Sequence, residues 1–302
     1  MQHLIVNGIR VDDTFAEAFG MRATALGITA PTLPWARQAA TSMSGFGTSV
    51  IGCGAEVGID RDLSADETPD GRPGVRVLLF AVSTAELQKQ LQNRVGQCVL
   101  TSPGSACYAG LETEETLKLG NALRFFGDGW QVAKRLGNKR YWRVPVMDGE
   151  FVCEATTGVT KTAVGGGNII LMGASAETTL AAAEAAVAAI HKVPDAIMPF
   201  PGGVARSGSK VGSKYKGASA STNDAYCPTL KGKGDSALDS DIASVLEIVI
   251  DGLTPESVGN AMKAGLAAVL ALGPQRGALR IGAGNYGGKL GPHHYHLKEL
   301  LP

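Results

Sequence analysis

No CxxC pair occurs in the sequence, and the five cysteines (Cys53, Cys98, Cys107, Cys153 and Cys227) are odd in number and widely spaced. A disulfide framework or a zinc knuckle is therefore not expected, and free thiols in a reducing compartment are. Net charge is also missing. The 28 Lys and Arg balance 28 Asp and Glu, so no global field draws nucleic acid, and an anion site has to come from a local cluster. The N-terminus, MQHLIVNGIRVDD, lacks a basic stretch followed by an apolar one and does not read as a signal peptide. The longest uncharged run, Gln38 to Ala55, is too rich in Gly, Ser and Thr to pass as a membrane helix. A soluble cytoplasmic protein is expected.

Several nucleotide and nucleophile signatures are absent as well. Gly203 and Gly208 have P-loop spacing, but Ser209-Lys210 reverses the required order and Val211 stands where Ser or Thr holds magnesium. Gly165-Gly166-Gly167 precedes a strand, the wrong context for a dinucleotide turn. No GxSxG elbow is present.

What is abundant is glycine, 40 of 302 residues, nearly twice the usual ~7%. Without a collagen period this implies many tight loops where backbone approaches backbone or ligand. The length suits about two domains. Strand patterns span His3 to Val6, Val75 to Val82, Gly167 to Met172, Leu246 to Ile250 and Leu279 to Ala283. Asn7-Gly8 and Asp148-Gly149 signal hairpins. Helices are expected at about Leu33 to Met43, Ala85 to Val95 after Ser83-Thr84, and Glu114 to Phe126. Two more are expected from Ser175 to His191 and from Thr254-Pro255 to about Leu272. A further helix carrying Phe15, Ala18, Phe19 and Arg22 is expected behind Asp12 or Asp13. Glu114 to Leu117 and Glu177 to Leu180 read as comparable helix openings in the two halves. Hairpins mixed with helices favour an α+β fold, with helices on one face of each sheet. The boundary is expected between an N-terminal lobe, 1–150, and a C-terminal lobe, 151–302, that carries the main motifs.

Chemistry concentrates in the second half. Between 201 and 233 stand Arg206, Lys210, Lys214, Lys216, Lys231 and Lys233, with Asp224 the only acid. Interleaved Gly and Ser leave N–H groups free to face an anion, so this segment reads as a loop for a carboxylate- or phosphate-bearing ligand, or else as a solvated basic loop. Glu247 interrupts the apolar run Val245 to Ile250. Burial disfavours its ionised form and suits it to proton exchange near neutrality. The alternative is an edge strand with Glu247 on a wet face. His293, His294 and His296, with Cys227 as a fourth group, could be metal ligands or polar surface. Cys227 as a nucleophile needs a base and an electropositive pocket. Asn223 and Asp224 read first as turn residues.

Five blocks together resemble one family: GGNIILM (166–172), PFPGGVARSGSKVGSKYK (199–216), ASTNDAYCPTLK (220–231), LEIVIDGL (246–253) and AGNYGGKLGP (283–292). The chain is similar, end to end, to formylmethanofuran:tetrahydromethanopterin formyltransferases. It looks nearest to the bacterial members that serve as the formyltransferase component of a multi-subunit formyltransferase/hydrolase complex; the neutral charge suits these better than acidic archaeal relatives.

The resemblance implies two tightly packed lobes, each ferredoxin-like (split βαβ), a homotetramer in the stand-alone enzymes, and possibly other complex subunits as partners. It implies formyl transfer between N5 of tetrahydromethanopterin, or a related pterin, and the amine of methanofuran. Both carriers act as co-substrates, with no prosthetic group or metal. Glu247 matches the family's catalytic acid. The substrate-binding set is then Gly202, Gly203, Arg206, Ser207, Ser209, Lys210, Lys214, Ser221, Asn223 and Asp224. Within it, N–H groups near Gly202 and Gly203, or Asn223, face the oxyanion, and Arg206, Lys210 and Lys214 hold acidic coenzyme tails. Competing classes are a non-catalytic scaffold subunit and a phosphate- or nucleotide-binding regulator.

Overall fold

The computed structural model describes residues 3–302. The chain divides into two compact units, one of residues 1–20 with 164–302 and one of residues 21–163. The 150/151 boundary expected from the sequence falls inside the strand Gly149–Glu154. The first residues join the later unit because their strands pair there: Ile9–Asp12 runs parallel to Arg280–Gly282, and Phe15–Gly20 pairs with Val164–Gly173 and His293–His296.

In the unit of residues 21–163, seven strands form one sheet. Its order is Glu56–Leu63, Gly74–Ala81, Arg22–Thr29, Ala106–Ala109, Gly149–Glu154, Lys139–Val146 and Val132–Leu136. Helices Leu33–Ser44 and Thr84–Arg94 bury Ala36, Ala40, Met43, Leu87 and Leu91 against Leu26, Ile28, Val77 and Leu79 of that sheet. Ser83 caps the second helix by accepting from the Glu86 amide, as its sequence predicts.

In the other unit, His3–Val6, Ile9–Asp12, Arg280–Gly282, Val164–Gly173, Ser244–Gly252 and Ala196–Ile197 lie side by side in that order. Asn7-Gly8 turns the first hairpin with both φ angles positive, the geometry that doublet favours. Helices Ala176–Ile190 and Pro255–Leu272 cover one face. Ala182, Ala186, Ile190, Val258, Met262 and Leu266 pack there on Ile169, Leu171, Ile248 and Ile250. A smaller cluster of Ile170, Met172 and Ile242 covers part of the opposite face.

Two expected helices are absent. Residues 15–22 form the strand Phe15–Gly20 and the start of Arg22–Thr29. Ala16 and Ala18 alternate into the core, so the operative period is two. Asp12 does not cap a helix: its carboxylate takes a bidentate pair from Arg280 at 2.8 and 2.9 Å, with His3 Nδ1 at 2.8 Å. The stretch 114–126 becomes the strand Thr116–Lys118, a short helix Gly120–Leu123 and a tight turn Arg124–Gly127. Here the Gln88 amide takes both backbone groups of Lys118, and Leu119 N–H donates to Ala155. Backbone bonds that a helix needs within itself are thus used elsewhere. Glu114 to Leu117 therefore does not match the helix opening at Glu177. The second hairpin pairs Val146 with Gly149 and so turns through Met147-Asp148, one residue before the Asp-Gly doublet.

Arg280 and Asp12 are both about 2% exposed or less. Removing one partner strands a buried charge. Asp12→Ala is expected to destabilise the fold by about 3–5 kcal/mol in denaturant unfolding; a loss below about 1 kcal/mol contradicts the assignment.

Candidate active site

The strand Ser244–Gly252 is interior to its sheet, between Val164–Gly173 and Ala196–Ile197. Leu246, Ile248 and Ile250 turn toward the helices. Alternation therefore puts Val245, Glu247 and Val249 on the opposite face. The strand is therefore not an edge strand; at Glu247 itself the far side is closed by an isolated bridge to Ala205, and the residue is partly exposed. The 198–242 excursion folds back over that face: Ala205 N–H donates to the Glu247 carbonyl at 2.7 Å, and Glu247 N–H donates to Ala205 at 2.9 Å.

This bridge delivers the next residues of the basic segment to the carboxyl. A cavity of about 440 Å³ opens there, lined by Glu247, Val245, Ile170, Ala205, Arg206, Ser207, Gly208, Thr222, Asn223, Tyr226 and Cys227. Among the described residues no hydrogen bond or ion pair reaches the Glu247 carboxylate. Burial alone pushes its pKa up to about 7. A carboxyl in that range gives and takes protons near neutrality. Arg206 is the cation in the lining, and it too makes no ion pair among the described residues.

Of the residues expected from the sequence, Glu247, Arg206, Ser207 and Asn223 come together around this cavity. The others stand outside its lining. Gly203 N–H is committed to the Phe200 carbonyl at 2.8 Å, so it is not available to an oxyanion. The Gly203 φ is +80°, and an added Cβ meets Val187 at 2.9 Å, so this glycine serves turn packing on the helix Ala176–Ile190. Gly202 has open space around its Cα. Ser209, Lys210 and Ser221 lie in the small hairpin Ser209–Val211 and Ala220–Thr222. Lys210 pairs with Asp224 at 2.6 Å, which neutralises one expected ligand cation, and Ser221 donates to Gly212. Lys214 follows in the connection.

His293 to His296 form a strand against Phe15–Gly20, with His294 and His296 beside the Phe15 ring. The Cys227 thiol donates to Asn223 O at 3.5 Å and lines the cavity. Among the described residues no group of three or more His, Cys, Asp and Glu is placed to hold a metal ion.

Sequence reasoning passed over Gly208, Tyr226, Tyr286 and Glu17. Gly208 is one glycine among many by pattern, yet a Cβ there stands 2.7 Å from Glu247 Oε2. Tyr226 and Tyr286 are each shifted upward, first by burial and then by charges that include Glu247. Tyr286 sits on the glycine loop after Arg280–Gly282, and Asn168 clasps that loop through both backbone groups of Gly284. Glu17 fixes the rest, accepting N–H bonds from Tyr286, Gly288, Leu290 and Gly291 at 2.6–2.8 Å. Burial acts to raise the Glu17 carboxyl, but the four amides prevail and hold it at about 2.

An α+β chain that brings a buried carboxyl and a guanidinium, neither ion-paired among the described residues, to one sheet-face cavity has the make-up of an enzyme site. Sequence comparison narrows this. The model described as formylmethanofuran-tetrahydromethanopterin formyltransferase matches residues 4–146, and the one described as FTR, proximal lobe, matches residues 149–300. The chain belongs to the formylmethanofuran-tetrahydromethanopterin formyltransferase family. It is 59% identical over 298 residues to the Methylococcus capsulatus enzyme of that name, covering 99% of this chain and 100% of the relative. It is 57% identical over 306 residues to a subunit of the formyltransferase/hydrolase complex of Methylorubrum extorquens, covering 100% and 98%. The crystal structure of the Methylorubrum extorquens complex with methylofuran contains a chain that superposes with a TM-score of 0.97, at 57% identity, covering 100% of this chain and 99% of that one.

Gly208→Ala places a methyl group against the Glu247 carboxylate. We expect turnover to fall by about 10- to 100-fold with an unchanged melting profile; turnover within about twofold of the parent removes the steric argument.

Proposed function

We propose that the chain transfers a formyl group between N5 of tetrahydromethanopterin, or a related pterin, and the amine of methanofuran, directly and within a ternary complex. Family membership at 59% identity over nearly the whole length supports the activity. The observation that carries the mechanism is the Glu247 carboxyl at the wall of the cavity, with no hydrogen-bond or ion-pair partner among the described residues. The attacking amine nitrogen adds to the formyl carbon and gives a tetrahedral oxyanion. Glu247 takes the proton from the attacking nitrogen and delivers it to the leaving one. The carbon–nitrogen bond then breaks, and the formyl group stays on the attacker. No covalent formyl-enzyme is needed, because holding both amines in register supplies much of the rate.

Asn223, which lines the cavity, is the oxyanion donor in this scheme, and Arg206 binds an acidic coenzyme tail. Ser207 belongs to the same lining. Lys214 and the Lys210–Asp224 pair, with Ser209, Ser221 and Gly202, stand at greater remove, as second contacts for the long tails of the carriers.

Each lobe is read as ferredoxin-like and the chain as a cytoplasmic homo-oligomer, a tetramer by analogy with stand-alone family members. The Methylorubrum relative is named as one subunit of a formyltransferase/hydrolase complex, which supports association with further subunits. Among the described residues no helix is long and apolar enough to cross a membrane.

Glu247→Gln is expected to lower kcat by about 100- to 10,000-fold in a spectrophotometric transfer assay with both carriers. Near-parental turnover removes Glu247 from the mechanism. The sign of the pH dependence follows from the raised pKa: the base form is lost as pH falls through about 7, so kcat/KM drops on that acid limb. Arg206→Ala is expected to raise KM by about 10- to 100-fold with little change in kcat. A purified chain that binds complex subunits but transfers no formyl group decides for a scaffold.

A further inference from the structure

A second cavity, which formyl transfer at Glu247 does not use, lies in the unit of residues 21–163. Its volume is about 550 Å³, and Lys118, Arg124, Phe125, Arg140 and Trp142 line it together with Asn121. No carboxylate is in its lining, and none of its three cations makes an ion pair among the described residues. Arg140 also stands directly opposite Arg135 across the ladder of Lys139–Val146 and Val132–Leu136, a like-charge pairing that costs stability unless something offsets it.

The cavity is built rather than incidental. Trp142 is buried, and its indole N–H donates to Asn121 Oδ1 at 2.8 Å. Close approach at Gly120, where an added Cβ meets the indole at 3.0 Å, sets the same ring. The Arg124 guanidinium carbon lies 4.6 Å from the Trp142 ring centre and 4.7 Å from that of Phe125. A cation held over two aromatic rings is attracted by their π faces without consuming a hydrogen-bond donor. Arg124 Nε is buried and has no hydrogen-bond partner among the described residues. A guanidinium held between two rings, with no hydrogen bond or ion pair among the described residues and flanked by two more cations, matches a planar or tetrahedral oxyanion.

We propose that this cavity binds a small multivalent anion, a phosphate or polycarboxylate, with Arg124 as the clamp and Lys118 and Arg140 beside it. The volume of this open cavity suits a small molecule, and the neutral net charge does not favour a nucleic acid. The anion site is independent of the role assigned to Glu247.

The test is isothermal titration calorimetry of the full-length chain at low ionic strength, with inorganic pyrophosphate and, separately, citrate. One site per chain is expected for at least one probe, and the preferred probe identifies the chemistry. Affinity should fall by at least about tenfold in Arg124→Gln/Arg140→Gln and remain unchanged in Arg206→Ala. Should the double variant lose its cooperative melt, Lys118→Gln alone is read in its place. The proposal is overturned if neither probe binds, if binding survives in the Arg124 and Arg140 variants (or in Lys118→Gln where that is read), or if Arg206→Ala abolishes it instead.

Discussion

A carboxyl group held on a sheet face with no hydrogen-bond partner among the described residues is the feature on which the rest of this molecule's candidate site depends. Water would ionise Glu247 well below neutrality; the face opposite the helices, roofed by the 198–242 segment, does not. The strand itself provides the placement. Alternation sends Leu246 and Ile248 into the helical layer and leaves Glu247 on the other side. The bridge to Ala205 then fixes where Arg206, Ser207 and Gly208 begin. A side chain larger than hydrogen at 208 is incompatible with the carboxylate where it stands.

The same unit contains acids handled in the opposite way. Asp12 is satisfied by a bidentate arginine and a histidine, and Glu17 by four backbone amides. Those two side chains organise structure: one ties Ile9–Asp12 to Arg280–Gly282, the other shapes the loop that carries Tyr286. Among the described residues Glu247 receives no such compensation, and the contrast within one sheet supports reading it as the proton carrier of the proposed mechanism.

Much of this was legible in the sequence. Caps at Ser83, Ser175 and Thr254, the Asn7-Gly8 turn and the strand around Glu247 all follow from local chemistry that tertiary packing reinforces. The illegible parts have a common cause. The Phe15 segment and the 114–126 stretch carry helix-like spacing, but their backbone partners come from residues distant in sequence, such as Gln88, Ala155 and the strand at 293–296. The basic segment showed its charge but not its distribution. Arg206 reaches the cavity and Lys210 is taken by Asp224, a choice set by the register of a three-residue hairpin. Gly208 and Glu17 act through close approach and loop amides, which leave no trace in periodicity.

The central claim is most directly tested by following side-chain carboxyl titration with carbon-13 NMR on the glutamate-labelled full-length chain, in parallel with the Glu247→Gln variant. The account predicts one glutamate resonance with a midpoint near 7 that disappears in the variant. A spectrum in which every glutamate titrates below about pH 5 contradicts it.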